Sequence, residues 1–357
     1  MTVSDMKLKI VYAGIRNENY VPERSPSFEY TNFYETLHGM PGTEVIEYPY
    51  DTILQVGRKR WNQELLSLAK KEKPDMLFAF MYTDEFEPAA LDALKEMATT
   101  VAWFADDYWR FWNYSRRWAP HFTYAVTTYP RAVEWYQKAG YKNVILSQWA
   151  HNTKLCLQPT TYNLQPAHDI DVSFLGQHKR ARARAVNALR EAGIEVKTFG
   201  TGWPSGRVSH EEMLRIFARS KINLNLNDRP GLWEPASLAR IFLKKSINRL
   251  VPDLHIFQNT KAYLHIKNPH IHARPFELAG CGAFVISGWA EGMEQYYEPD
   301  REMVFYHSTK ELVEKTKMYL ARPEDRARIA KAGYDRTLRE HTYEKRFATL
   351  FERMKFH

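Results

Sequence analysis

Residues 268–299 read NPHIHARPFELAGCGAFVISGWAEGMEQYYEP, and this stretch decides the fold. Arg274-Pro275-Phe276-Glu277 has the make-up of a helix start, with proline in the first turn and a carboxylate close behind it. Gly280-Cys281-Gly282 closes that helix. Ala283-Phe284-Val285-Ile286-Ser287 is the short continuous apolar run expected of a parallel strand covered on both faces. Gly288 to Met293 reads as a second helix start. Two helix starts facing one crevice favour an anion, because unpaired N–H groups and the helix dipole both attract negative charge.

The same alternation extends in both directions. Toward the N-terminus, 7–14 (KLKIVYAG), 43–48, 75–82, 100–104, 124–128 and 143–146 read as buried strands separated by helices. After a polar, proline-bearing stretch at 151–168, strands are expected at 170–176, 195–200, 222–226, 283–287 and 303–306, again with helices between them. This predicts an α/β chain of two doubly wound parallel sheets facing a central cleft, with ligands at the carboxyl ends of the strands. The expected division is a first domain over 1–150, a linker over 151–168 and a second domain over 169–335. A charged amphipathic helix follows over 336–357, crossing back to the first domain. Residues 229–267 are too long for a simple connection and read as an insertion. Within it, Ser237 to Leu250 (SLARIFLKKSINRL) has apolar residues at helical spacing with Arg240, Lys244, Lys245 and Arg249 on other faces. That pattern predicts an extra helix, either packed on the domain or lying on a membrane surface or against an acceptor.

At 357 residues, with 44% hydrophobic and 14% aromatic residues, the chain can bury two cores. Its net charge of +8 is uneven, near −2 over 1–150 and +10 over the rest. A basic half meets nucleic acid, anionic membrane or a phosphorylated small ligand, and charge alone does not choose among them. The two cysteines, Cys156 and Cys281, give no disulfide framework and point to a reducing compartment. The N-terminus has no secretory pattern and no stretch approaches a membrane span, so a cytoplasmic location is expected.

DVSFLG with Arg182 on the following helix, FGTGW, SKINLN, HARPFELAGCGAFVIS and EGMEQYYEPDREMVFY resemble the donor-binding half of the CgeB-like spore-maturation glycosyltransferases. These are similar in turn to the family-4 glycosyltransferases of GT-B fold. WFADD, TTYPRAVEWYQKAGYKNV and WAHN resemble the family's first domain. The resemblance implies two facing Rossmann-like domains and a nucleoside-diphosphate sugar, UDP-sugar favoured, held mainly by the second domain. The sugar would pass to a glycan, lipid-linked or protein acceptor approached from the first domain, with retention favoured and no metal or bound cofactor.

Residue by residue, the resemblance implies that Glu277 accepts hydrogen bonds from the ribose hydroxyls and that Arg182 supplies a cation to the diphosphate, with Arg180 and Lys179 able to substitute. A capping carboxylate and a solvated helix start are the plain readings of the same residues. Arg274, one turn from Glu277, either pairs with it or reaches the diphosphate. Gly288, Gly292 and Met293 would offer backbone N–H groups to the phosphates, and Glu291 an acceptor for sugar hydroxyls. Gly200 to Trp203 sit where the family places the base, with Phe199 or Trp203 able to stack on it. Asn225 and Asn227 share a strand face, touching ligand or satisfying backbone.

Many family-4 enzymes carry a second glutamate eight residues before the ribose-binding one, and Pro269 stands there instead. His270 and His272 are the nearest polar candidates to stabilise developing charge. Their spacing, with no further ligands, is too poor for a metal site. Asp106 and Asp107 follow a buried strand, and either could accept the acceptor hydroxyl's proton as an inverting course requires. The competing readings are a nucleotide-sugar epimerase, a DNA-modifying sugar transferase and a sugar- or polyanion-binding protein without catalysis. The aromatic run Tyr108–Trp112 counts against the epimerase, and nucleic acid is the least favoured partner.

Overall fold

The computed structural model describes residues 7–155, 168–227 and 234–356. It resolves into two compact units. One comprises 1–148, 231–268 and 346–357, the other 149–230 and 269–345. The stretch 156–167, most of the segment read as a linker, lies outside the described residues, as do 228–233 of the insertion.

The first unit is built on six parallel strands: β1 (Leu8–Gly14), β2 (Thr43–Pro49), β3 (Met76–Phe80), β4 (Thr99–Phe104), β5 (Tyr124–Thr127) and β6 (Val144–Leu146), in the order β2-β1-β3-β4-β5-β6. All of β3 (MLFAF) is buried, as a strand must be when helices cover both faces of its sheet. Aromatic side chains fill the two helix–sheet layers. Trp61 packs against Tyr48, Tyr50 and Phe86, and Phe33 against Phe80, Trp103 and Phe347 of the last helix, Tyr343–Arg353.

The second unit carries β7 (Ile170–Leu175), β8 (Val196–Phe199), β9 (Ser220–Asn225), β12 (Val285–Gly288) and β13 (Val304–Tyr306), also parallel, in the order β13-β12-β9-β7-β8. In each sheet the chain winds outward in two directions, so the order reverses between two neighbouring strands. In the second sheet those neighbours are β7 and β9, and the crevice beyond their carboxyl ends is where such sheets take ligands. Among the described residues no helix is long and apolar enough to cross a membrane.

Three expectations are corrected. The extra helix over Ser237–Leu250 is instead a short helix, Pro235–Ala239, followed by an antiparallel hairpin of β10 (Leu243–Ser246) and β11 (Arg249–Pro252). The hairpin turns at Ile247, in the left-handed region with φ of 51°, and its geometry is fixed from outside. The Ile247 amide donates to Thr83 Oγ1 (2.9 Å) and Lys245 Nζ to Tyr82 Oη (2.8 Å). Second, no α-helix begins at Gly288–Met293. Gly292, at φ 83°, leads into a single 3₁₀ turn, Met293–Gln295. Third, Cys281 is disulfide-bonded, against the expectation that the cysteines give no disulfide framework and point to a reducing compartment; Cys156 lies outside the described residues.

One close approach sets a strong test of packing. A Cβ on Gly280, near the end of helix Arg274–Gly280, would run into the imidazole of His151. That ring is buried, and burial pushes its pKa down to about 4, so it is neutral. Its backbone is held on both sides, the amide donating to His341 O (2.8 Å) and the carbonyl accepting from the Tyr343 amide (3.1 Å). With nothing able to give way, Gly280→Ala is expected to lower stability by about 3 kcal/mol in urea unfolding. Unchanged unfolding would show that the contact yields easily.

Candidate functional site

The loops leaving β7 and β8 are laced together. Gly176 N donates to Phe199 O (2.9 Å) and His178 N to Thr201 O (2.8 Å). Gly200 sits at φ 124°, and a Cβ there would strike the carbonyl of Gly176, so only glycine lets the two loops approach this closely. Trp203, expected beside a base, is buried. Its Nε1 donates to Gly176 O (2.9 Å) and its ring packs edge-on against Phe174 and His178. It braces the loop, and the stacking role read from the sequence does not fit that position.

The loop after β7 delivers the chain into helix Arg180–Glu191. Its N-cap is Lys179, which makes no side-chain cap, and its first turn holds no acid. Positive side chains thus stand on the positive end of the dipole, which costs stability unless an anion is bound there. Arg182 is half-buried, with Nη1 donating to Gln177 O (3.0 Å) and its guanidinium over the Phe174 ring. Arg180 is exposed and has no partner among the described residues.

Across the crevice a polar network closes the ends of β9 and β12. Asn227 Nδ2 donates to Gly288 O (2.6 Å), so its Oδ1 is the acceptor, and it receives Asn225 Nδ2 (3.1 Å) and His272 Nδ1 (2.7 Å). Asn225 Nδ2 also donates to Ser287 Oγ (2.8 Å). Gly288 must be glycine here, since its Cβ would lie 2.8 Å from Asn227 Cβ. With Nδ1 donating, His272 carries its lone pair on Nε2. Burial first, then the charges of His270, Arg182 and Lys179, hold its pKa well below the usual range, so the ring is neutral. The two histidine rings meet edge to face, with centroids 4.3 Å apart.

Glu277 lies in the first turn of helix Arg274–Gly280 and its Oε2 accepts from Arg274 Nη1 (2.8 Å). Arg274 is pinned further by Met213 Sδ (3.2 Å) and by the Phe217 ring. It is therefore the partner of Glu277 in this structure, and Glu277 Oε1 accepts nothing among the described residues. Glu291 is half-buried and Met293 buried in the turn after β12. The second unit thus brings Arg182, Asn225, Asn227, His270, His272 and Gly288 to one edge of one sheet. Asn227 is the junction that joins strand to histidine, a partnership 45 residues apart in sequence.

In the first unit the two aspartates part company. Asp107 is fully buried, its Oδ2 accepting from Tyr136 Oη (2.9 Å), and desolvation raises its pKa to about 6 against the lowering effect of its hydrogen bonds. It is an internal brace, out of reach of an acceptor. Asp106 lines a cavity of about 680 Å³ formed wholly within this unit. Trp109, Tyr114 and Phe86 give that cavity its apolar walls, while Arg110, Arg117 and Arg240 bring charge. Arg240 lies over Trp109 and Arg110 over Tyr114, at 4.6 and 3.9 Å from the ring centroids. Behind the wall, buried Glu85 accepts from both Tyr20 Oη (2.8 Å) and the Thr83 amide, fixing the loop after β3. In the sequence the signal for this loop is the cluster Asp84, Glu85 and Glu87 shortly after a buried strand. No group of three or more His, Cys, Asp or Glu among the described residues could hold a metal ion.

Solved structures superpose on nearly the whole chain. The glycosyltransferase of Rickettsia africae ESF-5 covers 98% of each chain with a TM-score of 0.61 at 8% identity. The sucrose-phosphate synthase of Thermosynechococcus elongatus covers 98% of this chain and 99% of its own (0.59, 10%). Anabaena HepE, solved in complex with UDP, covers 97% and 99% (0.57, 9%). At such identities the likeness is one of fold, and the fold is GT-B. Residues 252–352 match the family model described as glycosyl transferase-like. Spore protein CgeB of Bacillus subtilis strain 168 is 24% identical over 223 residues, 61% of this chain and 64% of CgeB. The chain thus has the GT-B fold and is similar to CgeB, over less than two thirds of that relative's length.

Proposed function

We propose that this chain is a glycosyltransferase that moves a sugar from a UDP-sugar to a glycan, lipid-linked or protein acceptor, with retention at the anomeric carbon. The observation that carries the reading is the uncapped, basic start of helix Arg180–Glu191 at the reversal point of the second sheet. A diphosphate there would meet free N–H groups, the dipole and Arg182 together, with Arg180 alongside. UDP is favoured because HepE was solved with UDP and with UDP-glucose.

Each group has a part in that reading. Glu277 offers Oε1 to the ribose hydroxyls while Arg274 fixes Oε2. Arg182 offsets the charge that grows on the departing diphosphate. Neutral His272, oriented by Asn227, presents Nε2 as an acceptor toward the sugar, with His270 beside it. In the first unit Asp106 accepts a hydrogen bond from the acceptor hydroxyl in the aromatic cavity.

UDP release from UDP-sugar, measured with and without saccharide acceptors, tests the activity. Asp106→Ala is expected to raise the acceptor KM about ten-fold with a smaller change in kcat, as loss of one charge-assisted hydrogen bond would do. A fall in kcat of about 10³-fold or more would instead make Asp106 a general base and the course an inverting one.

A further inference from the structure

Exposed large apolar side chains are concentrated in one place. Of the eight among the described residues, seven lie between positions 242 and 264, and Leu54 is the other. Leu254 is 89% exposed, Phe257 79%, Leu250 73%, Leu264 62% and Phe242 58%. Helix Ile256–His265 explains part of this. Asn259, Ala262 and Ile266 form its buried face, while Phe257 and Leu264, two turns apart, share the opposite one. The hairpin β10–β11 adds Leu250, and Phe242 O accepts from the Asp253 amide (2.8 Å), which sets Phe242 next to Leu254.

The charge around these side chains is one-sided. Residues 234–268 hold six Lys and Arg against two acids, Glu234 and Asp253. Asp253 is buried and engaged by His255 Nδ1 (2.6 Å). Arg249 and Lys267 are exposed beside the apolar groups. Apolar side chains standing singly into water, with exposed Arg249 and Lys267 on the same segment and Asp253 buried, match an anionic bilayer surface. There the apolar groups enter the acyl boundary and the cations meet headgroup phosphates.

We infer that the 242–264 face docks this chain onto anionic lipid membranes. The hairpin that supplies Leu250 to this face also walls the first-unit cavity with Leu243, Lys244 and Lys245. An acceptor entering that cavity from the bilayer is a lipid-linked saccharide, and this last step rests on the transferase reading.

The test is co-sedimentation of the full chain with vesicles of phosphatidylcholine containing about one third phosphatidylglycerol, beside pure phosphatidylcholine vesicles. Binding is expected to the anionic vesicles, to weaken as salt is raised, and to be much lower on the neutral ones. Leu254→Ser with Phe257→Ser, both at exposed positions, is expected to lower partitioning at least about ten-fold with the melting temperature unchanged. No binding to anionic vesicles, or binding that survives the double substitution, overturns the inference. So does a concentration-dependent dimer that the same substitution abolishes without vesicles, since the face would then belong to a second copy. UDP binding, followed in the same samples, separates this result from failure of the transferase reading.

Discussion

Arg182→Ala is expected to lower the rate of UDP release by about 10²–10³-fold, with the melting temperature almost unchanged. The size follows from where the charge develops. In the proposed reaction the β-phosphate would gain negative charge as the sugar leaves, beside the loops after β7 and β8 where Arg182 is held, and a fixed cation there would offset it. Arg182 is held in place for this by Gln177 O and the Phe174 ring. Arg182→Lys should recover part of the loss, because an ammonium keeps the charge and loses the two-pronged geometry. Since Arg182 charge also lowers the pKa of His272, the alanine variant should make that ring easier to protonate. Release rates within three-fold of the unaltered chain would remove Arg182 from the leaving-group role.

Glu277→Ala is expected to weaken UDP affinity about 100-fold, as loss of two hydrogen bonds to a charged acceptor implies. Free phosphate-bearing ligands without a ribose should feel the change far less. The substitution also releases Arg274 from its 2.8 Å pair, leaving it with Met213 and the Phe217 ring. Glu277→Gln isolates the charge, because the amide keeps the shape and one acceptor oxygen. Affinity unchanged in both variants would mean that the pair is only a helix-start clamp.

The strands were legible because continuous apolar runs such as MLFAF and TVAWF have few other readings, and their spacing required parallel pairing. Ser237–Leu250 was not. Its apolar spacing suits a helix, but a hairpin wins through bonds to Tyr82 and Thr83, more than 160 residues earlier. Asp106 and Asp107 are equal in sequence, and only the chain's path off β4 buries one and leaves the other at a cavity. Trp203 looked like a stacking platform because an aromatic after a glycine turn at a strand end suits that role equally well. Its indole N–H is satisfied by Gly176 O, which no local pattern signals. The Asn225–Asn227–His272 network was half legible. The alternating asparagines stood out, but their partner comes from a segment that the sheet alone brings near.

The central claim is that the second unit holds a nucleoside-diphosphate sugar, and a thermal-shift series with UDP-, GDP-, dTDP- and CMP-sugars beside the free nucleotides tests it most directly. A ligand that binds only the folded chain stabilises it by about 2.7 kcal/mol at 100 times its dissociation constant. The account predicts a clear rise in melting temperature with UDP and one UDP-sugar, abolished in Glu277→Ala. No rise with any nucleotide or nucleotide sugar, at millimolar concentration, would contradict it.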